Sequence, residues 1–162
     1  MKMKVGVTGH QRLENPAAWV WVETAINGEL DRLDTPLIGL TSLAIGADQL
    51  FARLIVLRGG EIHATIPFPD YERTFDAESV TAYRALLLKA ASVEVLRQQD
   101  TDQDAYMAAG KHIVAQADLM VAVWNGLPAK GKGGTADIVS YAVAKHVPMI
   151  HINPVDRTIT RR

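Results

Sequence analysis

A glycine-rich segment with two lysines, Lys-Gly-Lys-Gly-Gly-Thr at residues 130–135, stands directly before a predicted helix. Glycines at such a turn allow positive φ angles and a close approach of the backbone to a ligand. The first turn of a helix leaves amide groups unpaired and carries partial positive charge, so it can bind a phosphate or another anion. The simpler alternative is a solvated turn in which Thr135 only caps the helix.

Charge and hydrogen-bond donors accompany this turn. Lys130 and Lys132 add positive charge, and the Thr135 hydroxyl adds a donor. The lysines precede the glycine pair, whereas a P-loop ends in Gly-Lys-Ser or Gly-Lys-Thr, so the segment is not a P-loop. No G-x-G-x-x-G pattern follows the first predicted strand, which also excludes the dinucleotide fingerprint.

A second strand-to-helix turn carries Thr8, Gly9, His10 and Arg12. Gly9 would let the chain pass close to a ligand, while Thr8 and His10 could donate hydrogen bonds to a phosphate or a ribose. His10 is equally well a loop imidazole without a ligand. Arg12 is either a phosphate-binding guanidinium or an ordinary surface charge.

Two carboxylates lie in the first turns of predicted helices, Asp48 after Gly46-Ala47 and Asp137 after the glycine-rich segment. A carboxylate at this position is stabilised by the helix dipole and can cap backbone amides. The functional alternatives are a hydrogen bond to a ribose hydroxyl for Asp48 and ribose binding or acid–base chemistry at a glycosidic bond for Asp137.

Several other chemistries are excluded by residue type or spacing. The chain contains no cysteine, so disulfides, thiolate zinc sites and cysteine nucleophiles are absent. No serine stands in the context of a nucleophile elbow. The remaining histidines lack metal-ligand spacing, and we expect neither a metal site nor a cofactor; they are His63, His112, His146 and His151.

Short apolar runs alternate with amphipathic stretches along the whole chain. The apolar runs predict six strands, at residues 3–7, 37–40, 62–66, 93–96, 119–124 and 148–152. The stretches between them predict five helices, at residues 16–33 after an Asn15 cap, 45–58, 78–91, from an Asp102 or Asp104 cap to 116, and 135–146.

This alternation predicts an α/β fold with a three-layer, doubly wound and mainly parallel sheet of the Rossmann-like type. We expect one domain over residues 1–162, with residues 153–162 only loosely ordered. Ligands of such sheets bind beyond the carboxyl ends of the strands, where the strand order reverses. The chemistry-bearing segments all follow predicted strands, so the fold would bring them to one edge.

Composition narrows the class of protein further. Seventeen basic and 18 acidic residues give a net charge of −1, and 48% of the residues are hydrophobic. This excludes a disordered chain and makes nucleic acid an improbable partner, because no excess of positive charge exists. No apolar run is long enough to span a membrane or to form a signal peptide, so we expect a cytoplasmic protein. Trp21 lies off the core stripe of its helix and favours a homo-oligomer.

Four segments in order resemble the SLOG superfamily, which includes the LOG phosphoribohydrolases, DprA and YpsA-type proteins. They cover nearly the whole chain and read GVTGHQRL from residue 6, SLAIGADQL from 42, ADLMVAVWNG from 117 and GKGGTAD from 131. The resemblance implies a Rossmann-like domain that binds a nucleotide or a nucleotide-derived small molecule across the ends of the first and fifth strands.

The resemblance also assigns roles to individual residues. It implies phosphate at Gly133, Gly134 and Thr135, with the first loop opposite and Lys111 pointing into the site. Tyr71 would stack on the base at the rim. The other strand-end positions predicted as ligand contacts are Ser42, Gly46, Asn125 and Gly126.

One position departs from the resemblance. The LOG hydrolases carry a glutamate three residues after the threonine, where this chain has the apolar Ile138. The main hypothesis is therefore a binding or sensing module. The alternative is an N-glycosidic hydrolase or transferase on nucleoside monophosphates, with Asp137 at the ribose and Lys111 on the phosphate. A third reading is an interaction domain with unused loops.

Overall fold

Strands and helices alternate along the chain in the computed structural model, which describes residues 1–129 and 131–162. The strands in this part are β1 (Met3–Gly9), β2 (Leu37–Thr41), β3 (Glu61–Ile66), β4 (Ser92–Val95), β5 (Leu119–Val123), β6 (Met149–Asn153) and β7 (Thr158–Arg161). The helices are α1 (Ala18–Asp31), α2 (Ala47–Leu57), α3 (Ala77–Lys89), α4 (Asp102–Gln116) and α5 (Thr135–Ala144), with a 3₁₀ turn at Tyr71–Thr74.

All strands join one sheet in the order β4-β3-β2-β1-β5-β6-β7. The pairs are parallel except for β6 and β7. The order reverses between β1 and β5, whose register runs from Val5 opposite Leu119 to Gly9 opposite Val123. The predicted doubly wound α/β fold is confirmed, and its switch point lies between these two central strands.

Two hydrophobic clusters fill the space on either side of the sheet. Along β5, Val121 and Val123 belong to the cluster that includes buried side chains of α1, α2 and α3. Met120 and Ala122 belong to the cluster shared with α4 and α5. Adjacent residues of a strand point to opposite faces, so this continuous apolar run serves both layers.

The helix starts differ in part from the predicted caps. Helix α1 begins at Ala18 after Ala17, which has no side-chain cap, whereas Asn15 lies two residues before that position and its Oδ1 accepts the Ala17 amide at 3.2 Å. The cap of α4 is Thr101, whose Oγ1 accepts the Asp104 amide at 3.0 Å, rather than Asp102 or Asp104. A threonine hydroxyl can serve as an N-cap acceptor and leaves both carboxylates in the first turn, where the helix dipole favours them.

The prediction of a loosely ordered tail is wrong. The buried Asn153 accepts the amides of Val155 and Asp156 at 2.9 and 3.1 Å, and this turn leads into β7. Arg161 then donates to both carboxylate oxygens of Glu29 in α1, at 2.7 and 2.6 Å. The side chain of Glu29 is only 5% exposed, so the ion pair anchors the last strand on a buried charge.

Trp21 is partly buried and packs against the core, so it does not supply an exposed apolar patch. Exposed apolar side chains on the helices lie elsewhere, at Val20, Leu57, Leu88 and Val143. Within the described residues, no helix is long and apolar enough to cross a bilayer.

We expect Arg161→Gln to lower the free energy of unfolding by about 2 kcal/mol, because it leaves the Glu29 carboxylate buried without its partner. Arg53→Gln is the matched control, since it breaks an ion pair with Glu23 whose side chains are both exposed. That control should lose less than about 1 kcal/mol in urea unfolding. Equal losses in the two variants would contradict the anchoring role of β7.

Candidate functional site

A cavity of about 1,060 Å³ opens at the carboxyl ends of β1 and β5. It is bounded by the loops after β1, β2 and β5, by α4, by the loop before α5 and by the turn between β6 and β7. The predicted site residues that line it are Thr8, Gly9, His10, Arg12, Ser42, Asp48, Tyr71, Asn125, Lys132, Gly133, Gly134 and Thr135. The predicted residues that do not line it are Gly46, Lys111, Gly126 and Asp137.

His10 ties three elements together at the floor of this cavity. Its amide donates to the Val123 carbonyl at 3.0 Å, and its carbonyl accepts the Ala47 amide at 3.1 Å. The ring Nε2 accepts the Asn125 amide at 2.9 Å. Burial lowers the pKa of His10, while the contact to Asn125 opposes that shift. The neutral ring therefore carries its proton on Nδ1, which leaves one imidazole donor at the cavity.

Two glycines allow these elements to approach closely. A Cβ on Gly9 would meet Ala47 Cβ at 2.5 Å and Val123 Cβ at 2.9 Å. Gly46 has φ +81°, and a Cβ there would collide with the carbonyl oxygens of His10 and Gln11. Gly46 therefore sets the position of the first loop instead of lining the cavity.

Asp48 combines a structural role with a place in the cavity wall. Its Oδ2 accepts the Thr41 hydroxyl at 3.1 Å and the Ser42 amide at 3.0 Å, which fixes the turn between β2 and α2. Burial raises the pKa of Asp48 to about 6, although hydrogen bonds from Ser42, Thr41 and Ala44 oppose the shift. Asp48 thus accepts a backbone amide of the loop before α2, while α2 itself begins after Gly46 without a side-chain cap. The residue is also part of the cavity wall.

The loop before α5 satisfies part of its own hydrogen-bonding capacity. Gly133 (φ +83°) packs against α4, where a Cβ would meet the Gln103 carbonyl at 2.7 Å. Its amide donates to Asp137 Oδ2 at 3.0 Å, and the Gly134 amide donates to the Gly131 carbonyl at 3.3 Å. The glycine amides predicted to face phosphate are thus occupied, because the Asp137 carboxylate of α5 and the Gly131 carbonyl of the loop already accept from them.

Two amides in the first turn of α5 have no acceptor in the part of the chain that the structure describes. Within the described residues, the Thr135 and Ala136 amides donate to no acceptor, and both residues line the cavity. Asp137 and Ile138 both donate to the Gly134 carbonyl, at 3.1 and 3.3 Å. The helix start therefore presents two N–H groups and the positive end of its dipole to the cavity.

Positive charge near these amides is partly neutralised. Lys132 lies 2.6 Å from Asp104 of α4, and this hydrogen bond and charge raise the pKa of the lysine. Lys130 lies outside the described residues. Arg12 is exposed on the first loop. The pKa of the nearby Asp76 carboxyl is lowered mainly by hydrogen bonds from Ser79 and further by the positive charge of Arg12.

The predicted roles of Lys111 and Asp137 change in the structure. Lys111 does not point into the cavity, because its Nζ lies 5.3 Å from the centre of the Tyr141 ring. Asp137 faces Gly133 instead of the cavity. Ile138 occupies the position where the LOG hydrolases carry glutamate, and it is buried. It packs so closely against Gly110 that a Cβ on Gly110 would collide with it.

Tyr71 lines the cavity but is only 3% exposed, so it offers no free ring face at the rim. Its ring makes edge contacts with Phe68, Phe75 and Tyr83 at centroid distances of 5.6, 5.0 and 5.6 Å. The aromatic side chain available to a ligand is Tyr106 of α4, which is partly exposed and lines the cavity.

Sequence reasoning missed Tyr106 and the whole contribution of the β6–β7 turn. Tyr106 is not among the predicted ligand contacts, although one face of α4 borders the cavity. Arg157, Pro154 and Val155 also line the cavity, in the segment predicted to be loose. The Asn-Pro turn signal followed by the alternating Thr-Ile-Thr run could have predicted this hairpin.

No family model and no curated protein matches the sequence. Solved structures do match. DNA processing protein A (DprA) from Streptococcus pneumoniae has a TM-score of 0.64 at 18% identity, over 92% of this chain and 50% of that protein. DprA from Helicobacter pylori also gives 0.64, at 12% identity, over 95% and 70%. The molybdenum cofactor carrier protein of Chlamydomonas reinhardtii gives 0.55 at 16% identity, over 93% and 76%.

These proteins share the three-layer α/β architecture of this chain, which confirms the predicted Rossmann-like fold. The chain spans half the length of the pneumococcal DprA. The Helicobacter protein is described as binding single-stranded DNA. At these identities the likeness concerns architecture, and the ligand has to be argued from the cavity itself.

A testable consequence concerns Asp48 and pH. Its pKa of about 6 in the folded state lies above the ordinary value of 3.8 for an aspartate, so the folded protein holds this proton between about pH 4 and 6. Relative to Asp48→Asn, the free energy of unfolding should therefore fall by about 3 kcal/mol as the pH rises from 4 to 7. Urea unfolding of both proteins across this range measures the difference. A difference independent of pH would contradict the burial of an ionisable carboxyl.

Proposed function

We propose that this chain binds a nucleotide or nucleotide-derived small molecule in the cavity, with a phosphate at the start of α5. The observation that carries the proposal is the pair of Thr135 and Ala136 amides, which face the cavity without an acceptor among the described residues. Unpaired amides at a helix start favour a phosphate, because both the N–H groups and the helix dipole attract negative charge.

The charges around the cavity support an anionic ligand. Arg12, Lys132 and Arg157 line it, against the acidic Glu14 and Asp48. The pKa of Asp48 is raised by burial, so its negative charge diminishes as the pH falls towards 6. Phosphate recognition by cations and backbone amides together is common because charge-assisted hydrogen bonds are stronger than neutral ones.

The remaining wall of the cavity fits the other parts of a nucleotide. Tyr106 offers a partly exposed aromatic ring for a base, and the Nδ1–H of His10 and the carboxyl of Asp48 can bond ribose hydroxyls. This arrangement favours a ligand with phosphate, polyol and aromatic portions over inorganic phosphate alone.

The comparisons suggest two further ligand classes. One neighbour carries a molybdenum cofactor and another binds single-stranded DNA. The net charge of −1 and the acidic partner of Lys132 disfavour a DNA backbone, whose binding depends on many cations. Binding of oligo(dT) in fluorescence anisotropy, with no response to mononucleotides, would make DNA the ligand in place of a small molecule.

The direct test compares four ribonucleoside 5′-monophosphates, AMP, GMP, CMP and UMP, with the corresponding nucleosides. Isothermal titration calorimetry should detect at least one monophosphate, and its nucleoside should bind more weakly. In thermal unfolding, a ligand at 100 times its dissociation constant should stabilise the protein by about 2.7 kcal/mol. Absence of binding by all four at millimolar concentration would refute the proposal.

Thr135→Pro tests the role of the amide. Proline at the first helical position removes the N–H without disturbing the helix, and Gly134, with φ −70° and ψ 172°, already has the extended conformation that precedes proline. We expect monophosphate affinity to fall about 10-fold to 100-fold, from the loss of a hydrogen bond to a charged group.

Thr135→Ala is the matched control for this variant, because it removes the hydroxyl and keeps the amide. It should bind the monophosphate more tightly than Thr135→Pro, with both variants unfolding at similar denaturant concentrations. Equal affinities would show that the phosphate lies elsewhere in the cavity.

For the alternative function, an N-glycosidic enzyme, Asp48 is a better candidate for the catalytic carboxyl than Asp137. Asp48 reaches the cavity with a raised pKa, which suits a proton-transferring carboxyl, whereas Asp137 is engaged by Gly133 outside it. Chromatographic detection of free base from a monophosphate, lost in Asp48→Asn and retained in Asp137→Asn, would favour an enzyme.

A homo-oligomer remains a prediction to be measured by light scattering.

A further inference from the structure

Arg157 lines the cavity and has no carboxylate within ion-pair distance among the residues that the structure describes. Lys132 pairs with Asp104 at 2.6 Å, and Arg12 lies near the carboxylate of Asp76. Arg157 is exposed in the turn between β6 and β7, and it forms no ion pair or side-chain hydrogen bond with any residue that the structure describes. Its guanidinium is therefore available to a ligand.

The backbone at Arg157 gives no reason for an arginine. Its φ of +55° lies in the left-handed region, which glycine adopts without penalty and which costs other residues about 1–2 kcal/mol. The turn itself is fixed by the buried Asn153, which accepts two amides and donates to Asp156 at 3.3 Å. A glycine would fit the conformation of this turn better than the residue that occupies it.

We propose that Arg157 binds the anionic group of the ligand, reaching it from the β6–β7 turn. This inference rests on the proposed function and adds a named side chain to it. A guanidinium presents two parallel N–H donors that match two oxygens of a phosphate, which a lysine ammonium cannot do. The last hairpin, anchored through Arg161 on Glu29, then forms part of the binding site.

The proposal predicts opposite effects on stability and on binding. Arg157→Gly removes the guanidinium and relieves the left-handed strain at the same position. The unliganded variant should unfold at an equal temperature or about 2 °C higher. Its affinity for the monophosphate that wild type binds best among AMP, GMP, CMP and UMP should fall about 10-fold to 100-fold.

His146→Gly is the matched control. His146 has φ +58°, is exposed beyond the end of α5 and does not line the cavity. Because the substitution relieves the same left-handed strain, the unfolding temperature of His146→Gly should be equal to or higher than that of wild type, as for Arg157→Gly. Its affinity for the monophosphate should equal that of wild type. The nucleoside without phosphate should bind Arg157→Gly and wild type equally, because Arg157 acts on the phosphate alone.

The outcomes separate this inference from the proposed function. If wild type binds a monophosphate and Arg157→Gly binds it equally well, the role of Arg157 is refuted and the proposed function stands. A lowered unfolding temperature with the lost affinity, or an equal loss for the nucleoside, would make Arg157 a structural residue and also refute it. If no monophosphate binds wild type, the proposed function fails and the assignment of Arg157 fails with it.

Discussion

The pairing of β1 with β5 is the constraint on which the rest of the site depends. It places the two central strand ends side by side, and His10 joins them by accepting the Asn125 amide and donating to the Val123 carbonyl. The same residue accepts the Ala47 amide, so α2 is fixed to this junction as well. Because the crossovers then run to opposite sides, a crevice opens at this point, and the flanking loops become its walls.

Much of the polar capacity of these walls is already used within the protein. Asp137 holds the Gly133 amide, Asp104 holds Lys132, and Asp48 holds the turn after β2. Such contacts fix loops that would otherwise have to be ordered on binding, which lowers the entropic cost for a ligand. The polar groups that remain available to a ligand are the first amides of α5, one imidazole donor and the cations at the cavity edge.

The sequence predicted the layers well because the apolar periods are strong, as in the two-sided run of β5 and the Val22, Ile26 and Leu30 stripe of α1. It located the strand-end loops, since parallel topology brings them together. It could not show which hydrogen-bond donors of the loops would already be paired within the protein. The bond from the Gly133 amide to Asp137, for example, depends on the φ of Gly133 and on its packing against α4. Lys111 was misplaced because one residue along a helix changes its direction by about 100°. The local turn signal indicated the hairpin that carries Arg157, but its anchor could not be predicted, because Arg161 and Glu29 are 132 positions apart in the sequence.

The most direct test of the central claim is the response of the Thr135 and Ala136 amide signals in ¹⁵N NMR spectra. Titration with a nucleoside monophosphate and with its nucleoside separates phosphate contact from the rest of the ligand. We expect these two signals to shift strongly with the monophosphate and little with the nucleoside. Monophosphate binding that leaves both signals unchanged while other regions respond would contradict this claim.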